Sequence, residues 1–364
     1  MSTADAVSPD SDRPWADPGA WPVAPGVHRI PLPLPNDGLR AVNVYAVETD
    51  EPDGSRGITL VDGGWAIESA AELLASSLAG IGAGVADVRR VLVTHVHRDH
   101  YTQAVALRRL VGAEVRLGRG EETSLRMSIA GSEVVRDEMV AHLRDAGAEQ
   151  AAVAWEQAPP GPTADTDFWE LPDRWLEPDE QVRLGDRVLD AVATPGHTAG
   201  HVVFADTAEG LLFAGDHVLP TITPSIGFEP STRFGALGDF MGSLARVREL
   251  PDLRLLPAHG PLAPSAHARV DELLAHHDER LALSLEPLEV GGEGLTAREV
   301  AAHLPWTRHA RAYSSLDPFN SALAAMETRA HLEVLVARGQ AVVERGGADG
   351  SDPLGAAPAR YRRV

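Results

Sequence analysis

The sequence predicts a layered α+β fold, and two observations support this prediction. Strand-like runs separated by turn residues fill residues 26–62, and helix and strand then alternate as far as residue 117. A second group of short strands occupies residues 182–214 and is followed by helical patterns. In layered folds of this kind, functional sites form where loops from distant parts of the sequence meet at the ends of strands.

Each element of the first half has a local signal. Residues 41–47 are mostly apolar and follow the turn sequence Asn36-Asp37-Gly38. Residues 67–78 have the spacing of an amphipathic helix, and residues 88–93 are typical of a short buried strand. The other elements expected here are strands at 27–30, 58–61 and 114–117 and a helix at 99–111.

The second half contains the same kinds of pattern. Thr296, followed three residues later by Glu299, predicts a capping box at the start of a short helix. Gly339 is expected to end a long helix over residues 316–337. The remaining predicted elements are strands at 182–184, 187–192, 201–205, 211–214 and 253–257, helices at about 234–250 and 266–285, and two wing-like strands at 340–344 and 359–364.

Residues 119–178 interrupt the alternation of helices and strands. The part from 121 to 157 looks helical, whereas residues 158–178 are rich in proline and aspartate and carry three large aromatic side chains. Two interpretations remain open. The segment is either a lid beside the functional site, because long loops often cover active sites, or a surface insertion that packs on itself.

Composition and charge narrow the class of protein. The 364 residues carry a formal net charge of -21 and show no basic stripe, which argues against a nucleic-acid partner. All 32 basic residues are arginine, so no lysine is available as a nucleophile or base. Cysteine is absent, which excludes disulfides and thiolate ligands and fits a cytoplasmic location. We expect no secretory signal in the acidic N-terminal segment and no membrane span, because no apolar run is long enough.

The most informative segment is Thr-His-Val-His-Arg-Asp-His at residues 94–100, directly after an apolar run. Imidazole nitrogens and carboxylate oxygens are the ligands that Zn²⁺ takes when no thiolate is present. On an extended segment, His95 and His97 would point to the same side. Asp99 and His100 would begin a helix and offer a second pair of ligands. This one segment could therefore serve two adjacent metal ions.

Four more histidine or aspartate residues follow predicted strands. These residues are Asp62, His197, Asp216 and His259. Each one alone would be an ordinary turn residue. Together they predict a site, because loops from distant parts of a sequence meet at the strand ends of a layered fold.

With these residues in this order, the chain resembles the metallo-β-lactamase-fold hydrolase superfamily over about residues 22–285. The resemblance implies a four-layer αββα sandwich with two Zn²⁺ ions at one edge, iron or manganese being the alternatives. Carried over by position, the first metal would be held by His95, His97 and His197, the second by Asp99, His100 and His259, and Asp216 would bridge them. Asp62 would orient a ligand or the metal-bound water, and Asp99 would relay a proton as well as bind metal.

The residues around this motif have two or more interpretations. Arg98 stands where the family usually has a small or neutral residue, and it either reaches substrate or pairs with an acidic neighbour. His201 and His217 lie near ligand positions, and we expect them to support the site structurally. Asn43 and Tyr45 match an Asn-x-Tyr pattern of the family, and core packing is the preferred explanation for Tyr45.

The C-terminal segment resembles the winged-helix appendage of one subgroup of these hydrolases, which includes glyoxalase-II-like enzymes and a single-strand endoribonuclease. Its arginines make this end of the chain less acidic than the rest. The arginines concerned are Arg308, Arg311, Arg360, Arg362 and Arg363. The expected organisation is a disordered tail at 1–20, a catalytic domain at 21–288 with the 119–178 insertion, and a winged-helix-like domain at 289–364.

The favoured function is a dinuclear zinc hydrolase that uses a metal-bridging hydroxide on a small acyl thioester or ester, as a monomer or homodimer. Glutathione thioesters are disfavoured because the glyoxalase II pocket uses lysines. One alternative is a zinc-dependent single-strand endoribonuclease, suggested by the winged-helix resemblance. A second alternative is a non-catalytic metal- or DNA-binding regulator.

Overall fold

The computed structural model describes residues 6–35, 37–51, 54–158, 167–231, 234–307, 310–346 and 357–364. The chain forms two compact units. The first unit comprises Met1–Ile129, Thr163–Pro224 and Gly242–Asp271, and the second comprises Ala130–Pro162, Ser225–Met241 and Glu272–Val364. Within the described residues, no helix is both long and apolar enough to cross a membrane.

The first unit contains a seven-stranded sheet in which the strands follow one another in chain order. Its first four strands pair antiparallel and the rest pair parallel. A two-stranded ribbon, β1 (Val7–Ser8) and β2 (Arg13–Pro14), precedes the sheet. The seven strands are β3 (Trp21–Ala24), β4 (Val27–Pro33), β5 (Ala41–Asp50), β6 (Arg56–Val61), β7 (Val88–Val93), β8 (Glu114–Gly118) and β9 (Arg174–Leu176).

A second sheet of five strands also belongs to the first unit and also runs in chain order. All of its pairs are antiparallel except the last, which is parallel. Every residue of the third and fourth strands is buried, as expected for strands covered on both faces. The strands are β10 (Glu180–Leu184), β11 (Arg187–Ala193), β12 (Val202–Asp206), β13 (Leu211–Gly215) and β14 (Arg254–Pro257).

The apolar core of the first unit lies in two layers. Tyr45 and Leu92 of the first sheet pack with Phe204 and Phe213 of the second, and Tyr45 meets Phe213 edge to face at 5.3 Å. The opposite face of the seven-stranded sheet is covered by α1 (Glu68–Gly80) and α2 (Arg98–Val111). On the second sheet, Ser243 Oγ of α6 (Ala236–Glu249) donates to the carbonyl of Pro195 just after β11, at 2.8 Å.

These contacts give the helix–sheet–sheet–helix order of an αββα sandwich, so the predicted α+β class is confirmed. Most predicted elements match the observed ones closely, and the strand at 88–93 and the helix at 266–285 match residue for residue. The sequence pattern does not predict β3 or β9. Between β8 and β9 the first unit also contains α3 (Glu122–Ala130), and α7 (Ala266–Leu285) follows β14.

The second unit combines helices from the predicted insertion with the C-terminal segment. The capping box forms as predicted: Glu299 N donates to Thr296 Oγ1 at 3.2 Å and Thr296 N donates to Glu299 Oε2 at 2.8 Å. The elements of this unit are α4 (Ser132–Asp145), α5 (Glu149–Gln157), α8 (Ala297–Ala301), α9 (Pro318–Ala337), β15 (Ala341–Gly346) and β16 (Ala357–Arg363). The last two strands pair antiparallel.

The 119–178 insertion is divided between the two units. Its helix α4 packs into the second unit, where the buried Arg329 of α9 donates to His142 Nδ1 at 3.2 Å and lies 3.7 Å from the carboxylate of Asp145. Its later part belongs to the first unit, where Trp169 stacks on Tyr101 and β9 joins the seven-stranded sheet. Residues 159–166 lie outside the described residues, and so do Asn36 and Arg308.

The prediction of a disordered tail is wrong for residues 6–20. Trp15 is buried, and the carboxylate of Asp10 forms an ion pair with Arg29 of β4 in which neither side chain is exposed. A buried guanidinium needs an anionic partner, and the polar N-terminal segment supplies it. Composition alone could not reveal this pairing. Residues 1–5 of the predicted tail lie outside the described residues.

We predict that the second unit becomes less stable in acid because of a buried histidine pair. His277 Nδ1 lies 3.2 Å from His331 Nε2, and His331 Nδ1 donates to the carbonyl of Glu327. Burial, together with His331, His276 and Arg280, lowers the pKa of His277 to about 2, and burial lowers the pKa of His331 to about 4. As the pH falls from 6.5 towards these values, the unfolded chain binds protons that the folded chain does not, so the free energy of unfolding should fall.

The measurement is thermal unfolding against pH in the presence of a chelator, so that acid release of metal does not contribute. His331→Gln should flatten the slope of stability between about pH 6.5 and 4. His303→Gln, at an exposed position, should leave the slope unchanged. Equal slopes in all three proteins would contradict the assignment.

Candidate metal centre

The histidine motif follows β7 and begins α2, as the sequence predicts. Residues 94–97 form a bend between the two elements, and not the extended segment that we expected. The rings nevertheless converge, with His95 Nε2 3.0 Å from His97 Nδ1. The reason is that the strand ends at Val93 and the helix starts at Arg98, which leaves four residues to turn the chain.

The first group of candidate ligands combines this bend with two loops of the second sheet. His95, His97, His197 and Asp216 each offer a ligand atom, and these atoms all lie within 4.8 Å of one another. His197 Nε2 is 3.2 Å from His97 Nδ1 and 3.6 Å from Asp216 Oδ2. His197 follows β11 and Asp216 follows β13, so strand ends bring them together as predicted.

The second group lies beside the first and consists of Asp99, His100 and His259, whose ligand atoms also lie within 4.8 Å of one another. Asp99 Oδ2 is 3.4 Å from His259 Nε2 and 3.5 Å from His100 Nε2. Asp99 and His100 are in the first turn of α2, and His259 follows β14.

Asp216 connects the two groups through its two oxygens. Oδ2 faces His197 of the first group, whereas Oδ1 lies 3.3 Å from His259 Nε2 and 3.7 Å from His100 Nε2 of the second. A carboxylate in this arrangement can offer one oxygen to each of two cations.

The ligand rings are held by hydrogen bonds at the nitrogens that face away from the centre. Asp62 accepts from Thr94 N at 2.8 Å and from His100 Nδ1 at 2.9 Å, and Thr94 Oγ1 lies 3.0 Å from His95 Nδ1. His259 Nδ1 donates to the carbonyl of Ala41 at 2.8 Å. Partners of this kind fix the tautomer and direct Nε2 towards a metal. Asp62 itself has φ of 62°, a strained value for a residue with a side chain and one that occurs at functional sites.

Three buried atoms at the centre have no hydrogen-bond partner among the described residues. They are His100 Nε2, His259 Nε2 and Asp216 Oδ1. Buried polar atoms are normally paired, and these three lie close to one another. Nitrogen and carboxylate oxygen donors suit Zn²⁺ and also iron or manganese. The residues therefore fit a pair of divalent cations.

The surroundings of most of these groups favour the deprotonated state that a metal ligand needs. Burial and the neighbouring His197 lower the pKa of His97 to about 3, and burial lowers the pKa of His95 well below its ordinary value. Burial opposes ionisation of Asp99, but His100 and His259 hold its pKa well below the usual range. Histidines that stay neutral beside ionised carboxylates can bind a cation without losing a proton.

His100 and His259 are the exceptions. Burial disfavours the cation of His259, but Asp216 and Asp99 outweigh this effect and raise its pKa. The same applies to His100. Burial disfavours its cation, but Asp99, Asp62 and Asp216 outweigh this effect and raise its pKa to about 10. Metal binding at Nε2 must therefore displace a proton from His100 at neutral pH.

His201 and His217 lie outside both groups, as expected. His201 Nδ1 lies 2.9 Å from Thr194 Oγ1, and its Nε2 accepts from the backbone N–H of Asp216 at 3.2 Å. With both nitrogens engaged, His201 helps to orient the bridging aspartate. His217 is buried, and burial lowers its pKa to about 3.

Two features of the site escape analysis of the sequence alone. Glu121 is fully buried and accepts a hydrogen bond from Thr198 Oγ1, next to His197. Gly200 allows the two segments to touch, since a Cβ there would lie 2.1 Å from Glu121 N. Glycines at 118, 120 and 200 were the only signal in the sequence.

Arg98 is exposed, with its guanidinium 4.4 Å from the centre of the Trp65 ring.

We predict that Asp62→Asn weakens metal binding by about 10- to 100-fold. The amide cannot accept from both Thr94 and His100 as the carboxylate does, so the His100 ring loses its fixed orientation. Competition of the purified protein with a zinc chelator measures the effect. Asp186→Asn, at an exposed position, is the control, and equal affinities of the two variants would contradict the role.

We also predict that Gly200→Ala destabilises the first unit by about 1–3 kcal/mol, because its methyl group would collide with the backbone of residues 120 and 121. Gly80→Ala at the end of α1 is the matched control, since a Cβ there meets nothing within 4 Å. Urea unfolding of the two variants checks the difference. Similar midpoints would show that the loops yield at little cost.

Comparisons with known proteins agree with this arrangement. The family model described as "Metallo-beta-lactamase superfamily" matches residues 37–259. A beta-lactamase domain protein from Burkholderia ambifaria has a similar structure, with a TM-score of 0.77, 27% identity and coverage of 98% of both chains. A metallo-beta-lactamase family protein from Thermus thermophilus gives a TM-score of 0.66 at 29% identity, and the match covers 94% of this chain and 99% of that protein.

Curated relatives match over shorter stretches. The Beta-lactamase-like protein 2 homolog of Caenorhabditis elegans is 32% identical over 130 residues, which is 35% of this chain and 41% of that protein. The Hydroxyacylglutathione hydrolase of Bartonella henselae is 36% identical over 100 residues, or 26% of this chain and 36% of that protein. The matched stretches thus span less than half of either relative. The family model, the fold and the two ligand groups agree, and the chain therefore belongs to the metallo-beta-lactamase superfamily of hydrolases.

Proposed function

We propose that the protein is a dinuclear metal-dependent hydrolase, with zinc as the favoured metal and iron or manganese as alternatives. The observation that carries this proposal is the placement of Asp216 between two groups of buried ligands, with one carboxylate oxygen towards each. In this proposal His95, His97 and His197 hold the first cation. Asp99, His100 and His259 hold the second.

When bound, two such cations would ionise a water molecule near neutral pH and polarise the bond to be hydrolysed. The chain's own residues then have distinct tasks. Asp62 orients His100 through Nδ1, and His201 orients Asp216 through its backbone N–H. Asp99 has a second proposed task besides metal binding, which is to accept a proton on its carboxylate and pass it to the leaving group.

We infer that the substrate is a small acyl thioester or ester. The net charge of -21 and the lack of a basic stripe disfavour a nucleic-acid substrate, and the partial match to a hydroxyacylglutathione hydrolase favours thioester chemistry. The absence of lysine disfavours glutathione as the thiol part. Arg98 is an exposed cation directly between the ligands His97 and Asp99 in the sequence, so it is suited to contact an anionic part of the substrate.

The test is an assay of the purified protein with a panel of acyl-CoA and other thioesters. We expect hydrolysis that a chelator abolishes and added Zn²⁺ restores. Asp99→Ala should lower kcat/KM by more than about 100-fold, because a ligand contributes more than the outer partners do. The exposed Asp186→Asn variant should keep wild-type activity. Absence of metal-dependent cleavage across the panel would refute the acyl substrate.

A zinc-dependent single-strand endoribonuclease is the second candidate. We propose that the segment at 289–364 is winged-helix-like, because helices α8 and α9 are followed by the antiparallel pair β15 and β16. Its arginines are partly neutralised, however: Arg362 lies 2.6 Å from Glu344 and Arg360 lies 3.6 Å from Glu299. Incubation with single-stranded RNA decides this point, and zinc-dependent products would favour the nuclease over the thioesterase.

A non-catalytic metal- or DNA-binding regulator is the third candidate. The complete set of seven ligand positions speaks against it, because a protein that only binds DNA has no need of them. A sequence-specific DNA complex that forms equally well with Asp99→Ala, in a protein without hydrolytic activity, would favour the regulator.

A further inference from the structure

A chain of buried polar contacts connects the N-terminal segment to the loop that carries His259. It begins with the ion pair of Asp10 and Arg29, in which Arg29 Nε lies 2.8 Å from Oδ2 and Nη2 lies 3.2 Å from Oδ1. Both side chains have zero exposure. Arg29 Nη1 donates in turn to the carbonyl of Trp15 at 2.6 Å and to Asn43 Oδ1 at 3.0 Å.

Asn43 connects Arg29 to the backbone on both sides of His259. Its Nδ2 donates to the carbonyl of Pro257 at 3.0 Å and to the carbonyl of Gly260 at 2.9 Å. Its backbone N–H donates to the carbonyl of Ala258 at 2.7 Å. Three of the four carbonyl groups in residues 257–260 are therefore bound by a single residue of β5.

Arg29 and the carbonyls of the His259 loop together fix the orientation of the Asn43 amide. A guanidinium is only a donor, so the atom of Asn43 that faces it must be the oxygen. The NH₂ group must then face the two carbonyls of the His259 loop. Without Arg29 in place, the Asn43 oxygen would lose its donor, and only the two carbonyls would still hold the amide. Asp10 fixes Arg29 through two parallel hydrogen bonds, the strongest geometry for this pair of groups.

We propose that Asp10 and Arg29 are positioning residues for the second metal position and act on His259 through Asn43. The inference rests on the dinuclear centre proposed above. It extends that proposal by assigning a role to the N-terminal segment, which contributes no ligand. The chain of contacts bypasses the first group: His95 is held by Thr94, and the residue after His197 by Glu121.

The role predicts a selective defect. Asp10→Asn should selectively weaken binding of one of the two cations, by up to about ten-fold, because the loss of a direct partner of a metal ligand costs at least that much and Asp10 acts through intermediate residues. The other cation should bind as in the wild type. Asp12→Asn is the matched control, because Asp12 belongs to the same segment but is exposed.

The measurement is titration of chelator-treated full-length protein with Co²⁺, followed by absorption spectroscopy and by metal analysis. His259→Ala and His197→Ala provide the reference spectra for loss of the second and the first group, respectively. Asp10→Asn should resemble His259→Ala and not His197→Ala. Combined with His259→Ala, it should cause no further loss of metal. If Asp10→Asn is too unstable to titrate, Asn43→Ala carries the same test, because it leaves the ion pair intact.

The outcomes separate this inference from the proposed function. Retention of both cations with unchanged affinity in Asp10→Asn and in Asn43→Ala would overturn the positioning role alone. Equal weakening of both cations would overturn it as well, since that result indicates a general loss of stability. A wild-type protein that binds fewer than two cations would refute the dinuclear centre itself.

Discussion

Five imidazoles and two carboxylates converge within one buried region of the first unit, and the fold has to keep them together. Buried ionisable groups are costly unless they pair with opposite charge or bind a cation. Here burial keeps His95 and His97 neutral, whereas the pKa values of His100 and His259 are raised beside the ionised carboxylates of Asp99 and Asp216. The arrangement leaves polar atoms without partners at its centre. Bound divalent cations would give these atoms the partners that they lack.

In both sheets, the candidate ligands and Asp62 lie just after the ends of strands. Asp62 follows β6, the histidine bend follows β7, and His197, Asp216 and His259 follow β11, β13 and β14. The backbone just before each of these residues is therefore hydrogen-bonded to a neighbouring strand. Further contacts hold the segments that follow the strands, such as that of Thr198 with Glu121 and that of Asn43 with the loop after β14. The strands fix the positions of these side chains, and local hydrogen bonds fix their orientations.

Features of the fold and the site that depend on residues close together in the sequence could be predicted. Features that depend on contacts between distant residues could not. The motif at 94–100 is local, so its residues could be proposed as ligands from residue type and spacing. His197, Asp216 and His259 could be included because each follows a strand-like run, which is also a local signal. The ion pair of Asp10 with Arg29 and the contact of Thr198 with Glu121 join residues far apart in the chain, and neither partner has a distinctive pattern around it. For the same reason the N-terminal segment was wrongly predicted to be disordered. The helix α4 was likewise assigned to an insertion, because its buried Asp145 and His142 look like surface residues until Arg329 is placed beside them.

The way the chain passes between its two units has a consequence for biosynthesis. Each unit is built from three separate stretches, and they alternate along the sequence. The last stretch of the second unit begins only at Glu272, after every candidate ligand has been synthesised. Every stretch of the first unit is therefore synthesised before α9, the helix against which α4 and α5 pack. Until α9 has been synthesised, the buried side chains of α4 and α5 lack the helix that packs against them, and transiently exposed apolar surface of this kind favours aggregation.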